Sequence, residues 1–373
     1  MLVLVLLACA IGFLFATHWF TGRETVEYVW DSTVENTSGV AADLFGRDGM
    51  HRGVSLMARE EITPADVNRL VQTNVEWIAV HPYGLQPHGH DRPAIEFDES
   101  GVLGWGIRDS TMVVLSTFAR DAGLRILLKP HLWLGKSDEG KWRSEIAMNS
   151  EEDWTLWFEN YALFILHYAE IAELLDVQMF CIGTELMETA LQREEDWRTL
   201  IAQVREIYSG ELTYAANWYR EYEEIQFWDA LDVIGVQAYF PLTEQKNPSV
   251  ETLVAGWQEH KTALQTVSAR FDKPVIFTEI GYKSVAGAAI EPWAWVSLIN
   301  MVFDRLSVKT QAHAYSAFFD VFWDEPWFRG AYLWRWTRRN DRIDLKDRSF
   351  YFQNKPAQNI VAKRYARIST AQQ

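Results

Sequence analysis

The chain has few cysteines and too few basic residues to balance its acidic ones. Only two cysteines occur among 373 residues, Cys9 in an apolar leader and Cys181 in a predicted buried strand, so no disulfide framework is expected. We interpret Cys181 as inert packing, the usual state of a buried cysteine. The chain has 35 Lys and Arg residues and 51 Asp and Glu residues, which gives a net charge of -16. This argues against nucleic acid as a partner, because phosphates demand Lys and Arg, and favours a neutral substrate.

The leader lacks the basic residues that normally precede the apolar part of a signal peptide. The sequence is almost unbroken apolar from Leu2 to Ala16, with no Lys or Arg before it. We predict that residues 1–20 are either a signal peptide or an uncleaved membrane anchor. The protein is then exported (periplasmic, secreted or membrane-anchored), with its folded domain outside the cytoplasm. Residues 21–48 are polar and weakly periodic, and we interpret them as a tether or cap before a single domain over 49–373.

Short apolar, β-rich runs alternate with helical patterns through the rest of the chain. They begin near His51, Trp77, Arg125, Gln178, Leu212, Asp232, Lys273 and Arg329. Such alternation is typical of repeated βα units, and eight of them predict an α/β fold, the (β/α)8 TIM barrel. A doubly wound open sheet is the alternative, but it normally carries a glycine-rich phosphate loop after its first strand. The segment GVSLMARE has no such motif.

Two glutamates stand at the ends of predicted strands, where TIM barrels carry their chemistry. Glu185 ends the fourth strand and Glu279 the seventh. Because side chains alternate along a strand, we expect Glu185 to share a face with Cys181, and Glu279 with Phe277. That face must point inward, since a carboxylate against the helix layer would be buried without a partner.

Paired carboxyl groups of this kind are typical of glycoside hydrolysis. Retaining enzymes hold them about 5–5.5 Å apart, one protonated and one ionised. The negative charge of Glu279 would favour the protonated form of Glu185, so Glu185 is the predicted acid/base and Glu279 the predicted nucleophile. In the alternative interpretation each glutamate is structural and pairs with Lys129 or Arg335.

Other polar and aromatic residues at the strand ends are candidates for substrate binding. They are His81, His131, Trp133, Asn217, Tyr239, Trp334 and Trp336. We expect Tyr239 to donate to Glu279, and His81 and Asn217 to hydrogen-bond sugar hydroxyls. Trp334 would form the platform under the reacting sugar, since the C–H faces of a pyranose stack on indole. The alternative for Trp334 and Trp336 is filling of the barrel, and for Lys129 a structural strut.

A metal site is the less favoured interpretation of a histidine pair. His88 and His90 lie in the loop after the second strand, whereas metal-dependent hydrolase barrels usually place such a pair at the end of the first strand. We therefore predict neither a metal nor another cofactor.

The ordered set of motifs resembles glycoside hydrolase family 113, the β-mannanases of clan A. The resembling stretches are GVSL, WIAVHPY, ILLKPHLW, CIGTEL, VIGVQAYFPL, PVIFTEIGY, FFDVFWDEPWFRGAYLWRW and NKPAQNIVAKRY. The resemblance implies retaining endo-hydrolysis of β-1,4-mannosidic bonds in mannan without a cofactor. It also implies Glu185 as acid/base and Glu279 as nucleophile. One residue departs from the clan pattern, because Thr184 stands where most members carry an Asn that holds the sugar 2-hydroxyl.

Two other functions remain open from the sequence. One is a clan A β-glycosidase that acts on a different neutral β-glycan. The other is a non-catalytic carbohydrate-binding barrel at the cell surface, whose mark would be loss of a catalytic glutamate. In each case the expected partner is a neutral oligo- or polysaccharide, the expected state is a monomer, and a retained leader would associate with a membrane.

Overall fold

A computed structural model describes residues 28–57, 62–97, 107–135, 140–295, 305–338 and 343–372. The predicted leader over 1–20, and residues 21–27 of the predicted tether, lie outside these ranges. Eight parallel strands close into a barrel, which confirms the predicted TIM fold. The barrel strands are β1 (His51–Met57), β2 (Trp77–Val80), β5 (Arg125–Leu128), β7 (Met179–Thr184), β8 (Glu211–Asn217), β9 (Val233–Gln237), β10 (Val275–Ile280) and β11 (Phe328–Thr337).

The helices lie outside the barrel, most of them between successive strands, with one before β1 and one after β11. They are α1 (Phe45–Asp48), α2 (Pro64–Gln72), α3 (Asp109–Asp121), α4 (Glu151–Leu174), α5 (Met187–Gln192), α6 (Glu194–Ile207), α7 (Glu221–Glu224), α8 (Val250–Phe271), α9 (Val308–Phe322) and α10 (Pro356–Tyr365). Thr63 caps α2 in a reciprocal bond with Asp66, as its Thr-Pro start predicts. No helix in the described ranges is long and apolar enough to span a membrane.

Two prolines end barrel strands earlier than the sequence pattern predicts. The run from Trp77 is interrupted at Pro82 and the run from Arg125 at Pro130, because proline has no N–H to donate to a sheet. Beyond these points the chain forms β3 (Tyr83–Gln86) and β6 (His131–Leu134). With β4 (Glu96–Phe97) they make a separate three-stranded sheet in the order β4-β3-β6. His131 and Trp133 therefore belong to this small sheet and not to the barrel.

The segment before the barrel packs against its N-terminal end. Glu76 accepts hydrogen bonds from the backbone N–H groups of Leu44 and Phe45. The buried guanidinium of Arg52 pairs with Asp48 at 2.6 Å and lies 3.4 Å from Glu76. These contacts close the end of the barrel opposite the predicted site.

Three strands contain an extra residue near their C-terminal ends. Cys181 pairs with Thr213 and Thr184 with Ala215, so three residues of β7 span two of β8. Similar register shifts occur in β10, between Phe277 and Glu279, and in β11, between Leu333 and Trp336. Each extra residue breaks the alternation of side chains.

The prediction that Glu279 and Phe277 share the inward face is wrong, because a bulge in β10 lies between them. Phe277 packs on Trp257 of α8 and Phe322 of α9 in the helix layer, while Ile276 lies inside the barrel. Glu279 nevertheless faces the barrel mouth, because the bulge changes the side on which the following residues emerge.

A bulge also intervenes between Cys181 and Glu185. Cys181 lies inside the barrel as predicted, but a Cβ on Gly183 would meet the rings of Trp197 and Tyr214 at 2.7 Å, so position 183 faces the helix layer. Glu185 itself has a left-handed backbone, φ +55°, a conformation that is uncommon outside glycine. The direction of the Glu185 side chain therefore depends on local irregularity and not on simple alternation.

Candidate active site

A cavity of about 940 Å³ opens at the C-terminal ends of the barrel strands, and both predicted catalytic glutamates line it. Aromatic side chains form much of its wall, namely Tyr83, Trp133, Trp142, Trp218, Tyr219, Tyr239, Trp293, Trp295, Trp334 and Phe350. Among the predicted binding residues, His131, Trp133, Asn217, Tyr239 and Trp334 line this cleft. His81 and Trp336 are not part of its lining.

Glu279 is held by two donors that follow different strands, Lys129 after β5 and Tyr239 after β9. The ammonium of Lys129 lies 2.5 Å from Oε1, and the Tyr239 hydroxyl donates to Oε2 at 2.7 Å. Lys129 also donates to the side chain of Gln237 and the carbonyl of Thr278. Burial and the charge of Glu279 raise the pKa of Tyr239 well above its usual value, so the phenol keeps its proton and acts as a donor. The cation and the phenol compensate the buried charge of the carboxylate.

Two histidines lie beside this carboxylate without forming ion pairs with it. His131 Nε2 is 3.8 Å from Glu279 Oε1. Burial and the charge of Lys129 hold the pKa values of His131 and His81 well below their usual range, so both rings are neutral at neutral pH. The His81 ring lies behind the cleft wall, 4.9 Å from the His131 ring and 5.7 Å from the Trp334 ring.

The two histidines and Glu279 are close enough for a metal ion to be considered. Their ligand atoms lie within 4.8 Å of one another. However, the ammonium of Lys129 is already bound to Glu279 Oε1, and it would repel a second cation at that oxygen. The arrangement fits a charge-compensated carboxylate better than it fits a metal ligand.

Glu185 contacts two residues that the sequence analysis did not single out. Trp142 Nε1 donates to Glu185 Oε2 at 3.0 Å, and Arg143 Nε lies 3.1 Å from the same oxygen. The Arg143 guanidinium in turn lies over the Trp142 ring at 4.6 Å. Both residues come from the long loop after the third predicted strand, and the length of that loop was the only signal in the sequence. Glu185 and Glu279 thus occupy one cleft with different partners.

Asn217, at the end of β8, is held by a buried carboxylate. Its backbone N–H and its side-chain amide Nδ2 both donate to Glu221 Oε2 at 2.6 Å. Burial raises the pKa of Glu221 to about 7, although the hydrogen bonds from Asn217 and Tyr214 oppose this shift. Glu221 is a third residue that the sequence pattern did not indicate, since it follows its strand end by four residues.

The bulge in β11 separates two tryptophans that were expected to face the substrate together. Trp334 lines the cleft, with Trp295 edge-on to its ring at 6.3 Å. Trp336 packs on Phe352 within the core between barrel and helices and is 1% exposed. The extra residue turns Trp336 to the helix side, which corrects its assignment as a substrate-binding residue.

The family assignment follows from comparison with known proteins. The model of Glycoside Hydrolase Family 113 matches residues 53–355. The chain belongs to glycoside hydrolase family 113. This confirms the resemblance drawn from the motifs and makes the protein a glycoside hydrolase, with both glutamates in the lining of its cleft.

Solved structures of the same family superpose over most of this glycoside hydrolase. A GH113 β-mannanase from Alicyclobacillus acidocaldarius, in complex with ManMIm, is 29% identical with a TM-score of 0.73, covering 86% of this chain and 98% of its own. A GH113 β-1,4-mannanase is 27% identical with a TM-score of 0.71, covering 85% and 98%. A β-glucuronidase from Ruminococcus gnavus shares the barrel fold at 15% identity, a TM-score of 0.54 and coverage of 84% and 49%. No curated protein sequence matches the chain significantly.

Replacing Lys129 by Met should destabilise this GH113 protein by about 3–5 kcal/mol, because Glu279 would remain buried without its cation. Urea unfolding measures the effect. The matched control is Lys261→Met, which breaks a partly exposed pair with Glu325 and should cost at most about 1 kcal/mol. Equal losses in the two variants would show that the buried pair contributes no more than a surface one.

The titration of Glu221 should make the protein less stable as the pH rises towards neutrality. Its pKa is raised from 4.5 to about 7, so between these values the folded state holds a proton that the unfolded chain has released. This contribution is fully present below about pH 4.5 and is lost as the pH rises through about 7, by about 3 kcal/mol in all. Urea unfolding from about pH 4.5 to 8 should show a smaller decline for Glu221→Gln. Identical declines would contradict the assignment.

Proposed function

We propose that the protein is an endo-acting β-mannanase, which hydrolyses β-1,4-mannosidic bonds in mannan and manno-oligosaccharides with retention. The observation that carries this proposal is the pair of carboxylates in one cleft with unlike surroundings. Glu279 is bound by Lys129 and Tyr239, and Glu185 by Trp142 near Arg143. The family neighbours at 29% and 27% identity are β-mannanases, which supports mannan as the substrate.

In the first step, Glu279 attacks the anomeric carbon while Glu185 gives its proton to the departing glycosidic oxygen. The carbon–oxygen bond of the glycoside breaks, and a glycosyl ester of Glu279 forms. Ester formation removes the negative charge of Glu279. The hydrogen bond from Tyr239 and the ion pair with Lys129 orient the attacking carboxylate before this step.

In the second step, Glu185 takes a proton from a water molecule, which attacks the anomeric carbon and releases Glu279. Two inversions leave the sugar with its original β-configuration. Trp142 and Arg143 contact the Oε2 atom of Glu185 and hold its carboxyl group in place in the cleft. The same residue thus serves as acid and then as base.

The remaining cleft residues suit a neutral sugar chain. Trp334 offers an aromatic face for a pyranose ring, while the neutral His131 and the amide of Asn217 are suited to hydrogen bonds with hydroxyl groups. Trp218 and Trp293 stack at 4.9 Å along the same cleft, so aromatic surface extends beyond a single sugar.

A clan A β-glycosidase with another neutral β-glycan as substrate is the second candidate. It is favoured by Thr184, which replaces the Asn that most clan members use at the sugar 2-hydroxyl. A product profile on mannan, glucomannan and β-glucan distinguishes the two, because the proposed mannanase should release manno-oligosaccharides and leave β-glucan intact. Preferential cleavage of β-glucan would overturn the mannan assignment.

Truncating the two tryptophans of β11 should separate binding from folding. Trp334→Ala should weaken hydrolysis of mannotetraose through a higher KM, because a stacking face is lost. Since Trp334 is only 5% exposed, the variant should also lose some stability, but it should still fold. Trp336→Ala is the matched control and should lose about 3–5 kcal/mol of stability, as expected for a buried tryptophan. A Trp334→Ala protein that is unstable but unchanged in KM would make Trp334 a core residue.

Azide rescue should distinguish the roles of the two glutamates. With an activated aryl β-mannoside, Glu185→Ala should still form the glycosyl ester, which azide converts to the β-mannosyl azide. Glu279→Ala should let azide attack the substrate directly and give the α-azide. NMR of the azide products identifies which anomer has formed. Reversed anomers would exchange the two roles, and an α-anomer as the first wild-type product would mean an inverting mechanism.

A further inference from the structure

Glu221 is a fully buried carboxylate that does not line the cleft, yet it is bonded to Asn217, which does. It lies on α7, directly after β8, with 0% of its surface exposed. Three donors converge on it, two from Asn217 and one from the Tyr214 hydroxyl. A buried carboxylate kept against the cost of its desolvation is a candidate for positioning other groups.

The first branch of this network fixes the amide of Asn217. Because Nδ2 donates to Glu221, Oδ1 is the amide atom left to accept a hydrogen bond from a sugar hydroxyl. Asn217 lines the cleft together with Glu185 and Glu279. Glu221 therefore determines which end of the amide meets the substrate.

The second branch leads to the backbone next to Glu185. The Tyr214 hydroxyl donates to Glu221 and accepts the backbone N–H of Leu186 at 2.8 Å. Leu186 follows Glu185, whose left-handed φ of +55° directs its side chain after the bulge in β7. Glu185 N–H itself donates to the carbonyl of Ala215 at 2.9 Å. The peptide that carries Glu185 is thus bonded on both sides to groups of β8.

We propose that Glu221 is a positioning residue for glycoside hydrolysis, which aligns Asn217 directly and Glu185 through Tyr214. The inference rests on the proposed function in one respect, namely that Glu185 is the acid/base. It predicts that loss of Glu221 slows proton transfer from Glu185 to the leaving group more than it slows the attack of Glu279 on the anomeric carbon.

The experiment compares substrates that need the acid with substrates that do not. In Glu221→Gln an amide N–H₂ faces donors where the carboxylate accepted them. Its kcat on mannotetraose should fall about tenfold or more, and less on an aryl β-mannoside with an activated leaving group. Tyr214→Phe breaks only the branch to Leu186, and should lower kcat on mannotetraose with little change in KM.

Glu76→Gln is the matched control. Glu76 is also a buried glutamate (1% exposed) that accepts two backbone N–H groups, but it lies at the opposite end of the barrel. It should lose stability while its relative kcat values on the two substrates stay as in the wild type.

The outcomes separate the positioning role from a structural one. The proposal would be overturned if Glu221→Gln and Tyr214→Phe lowered kcat equally on both substrates, as partial unfolding would. It would also be overturned if both variants kept the kcat values of the wild type. If Glu221→Gln does not fold, Tyr214→Phe alone decides. If the wild-type protein cleaves another β-glycan and not mannan, the proposed substrate fails, and the same comparison on that glycan and its aryl glycoside still tests Glu221.

Discussion

The ammonium of Lys129 and the carboxylate of Glu279 meet at the mouth of the barrel, where neither is exposed to bulk water. Removing two charges from water is costly, and their attraction offsets that cost only when the remaining donors and acceptors are also satisfied. Gln237, Thr278 and Tyr239 supply those partners from β9, β10 and the residues that follow β9. A single ion pair thereby ties together strands that are distant in sequence, and it holds the Glu279 carboxylate in the cleft.

Bulges in the barrel strands determine which side chains reach the mouth of the barrel. A regular barrel strand would continue the apolar alternation of the interior, as Met179 and Cys181 do. Bulges in β7, β10 and β11 interrupt this alternation just before Glu185, at Glu279 and around Trp334. Bulges often lie beside active sites because they redirect a side chain without ending the strand pairing. Here Glu185, Glu279 and Trp334 line one cleft from three bulged strands or the residue that follows one.

The residues that contact Glu279 and those that contact Glu185 come from different parts of the fold. Glu279 is held by residues of the barrel itself, whereas Trp142 and Arg143 approach Glu185 from a loop that closes over the barrel end. Behind the cleft, Asn217, Tyr214 and Glu221 connect β8 to the peptide that carries Glu185. The cleft is therefore built from strand ends on one side and from a longer loop on the other.

The amino-acid sequence determined the alternation of strands and helices, the count of barrel strands, the place of Glu185 and Glu279 at strand ends, and the family. These follow from local patterns and from motifs that short stretches carry. Only the tertiary structure decided that Trp336 and Phe277 face the helix layer, and that Arg143 and Glu221 support the site. Bulges and loop contacts are set by pairing between residues far apart in sequence, and a period-two pattern contains no information about where one extra residue enters a strand.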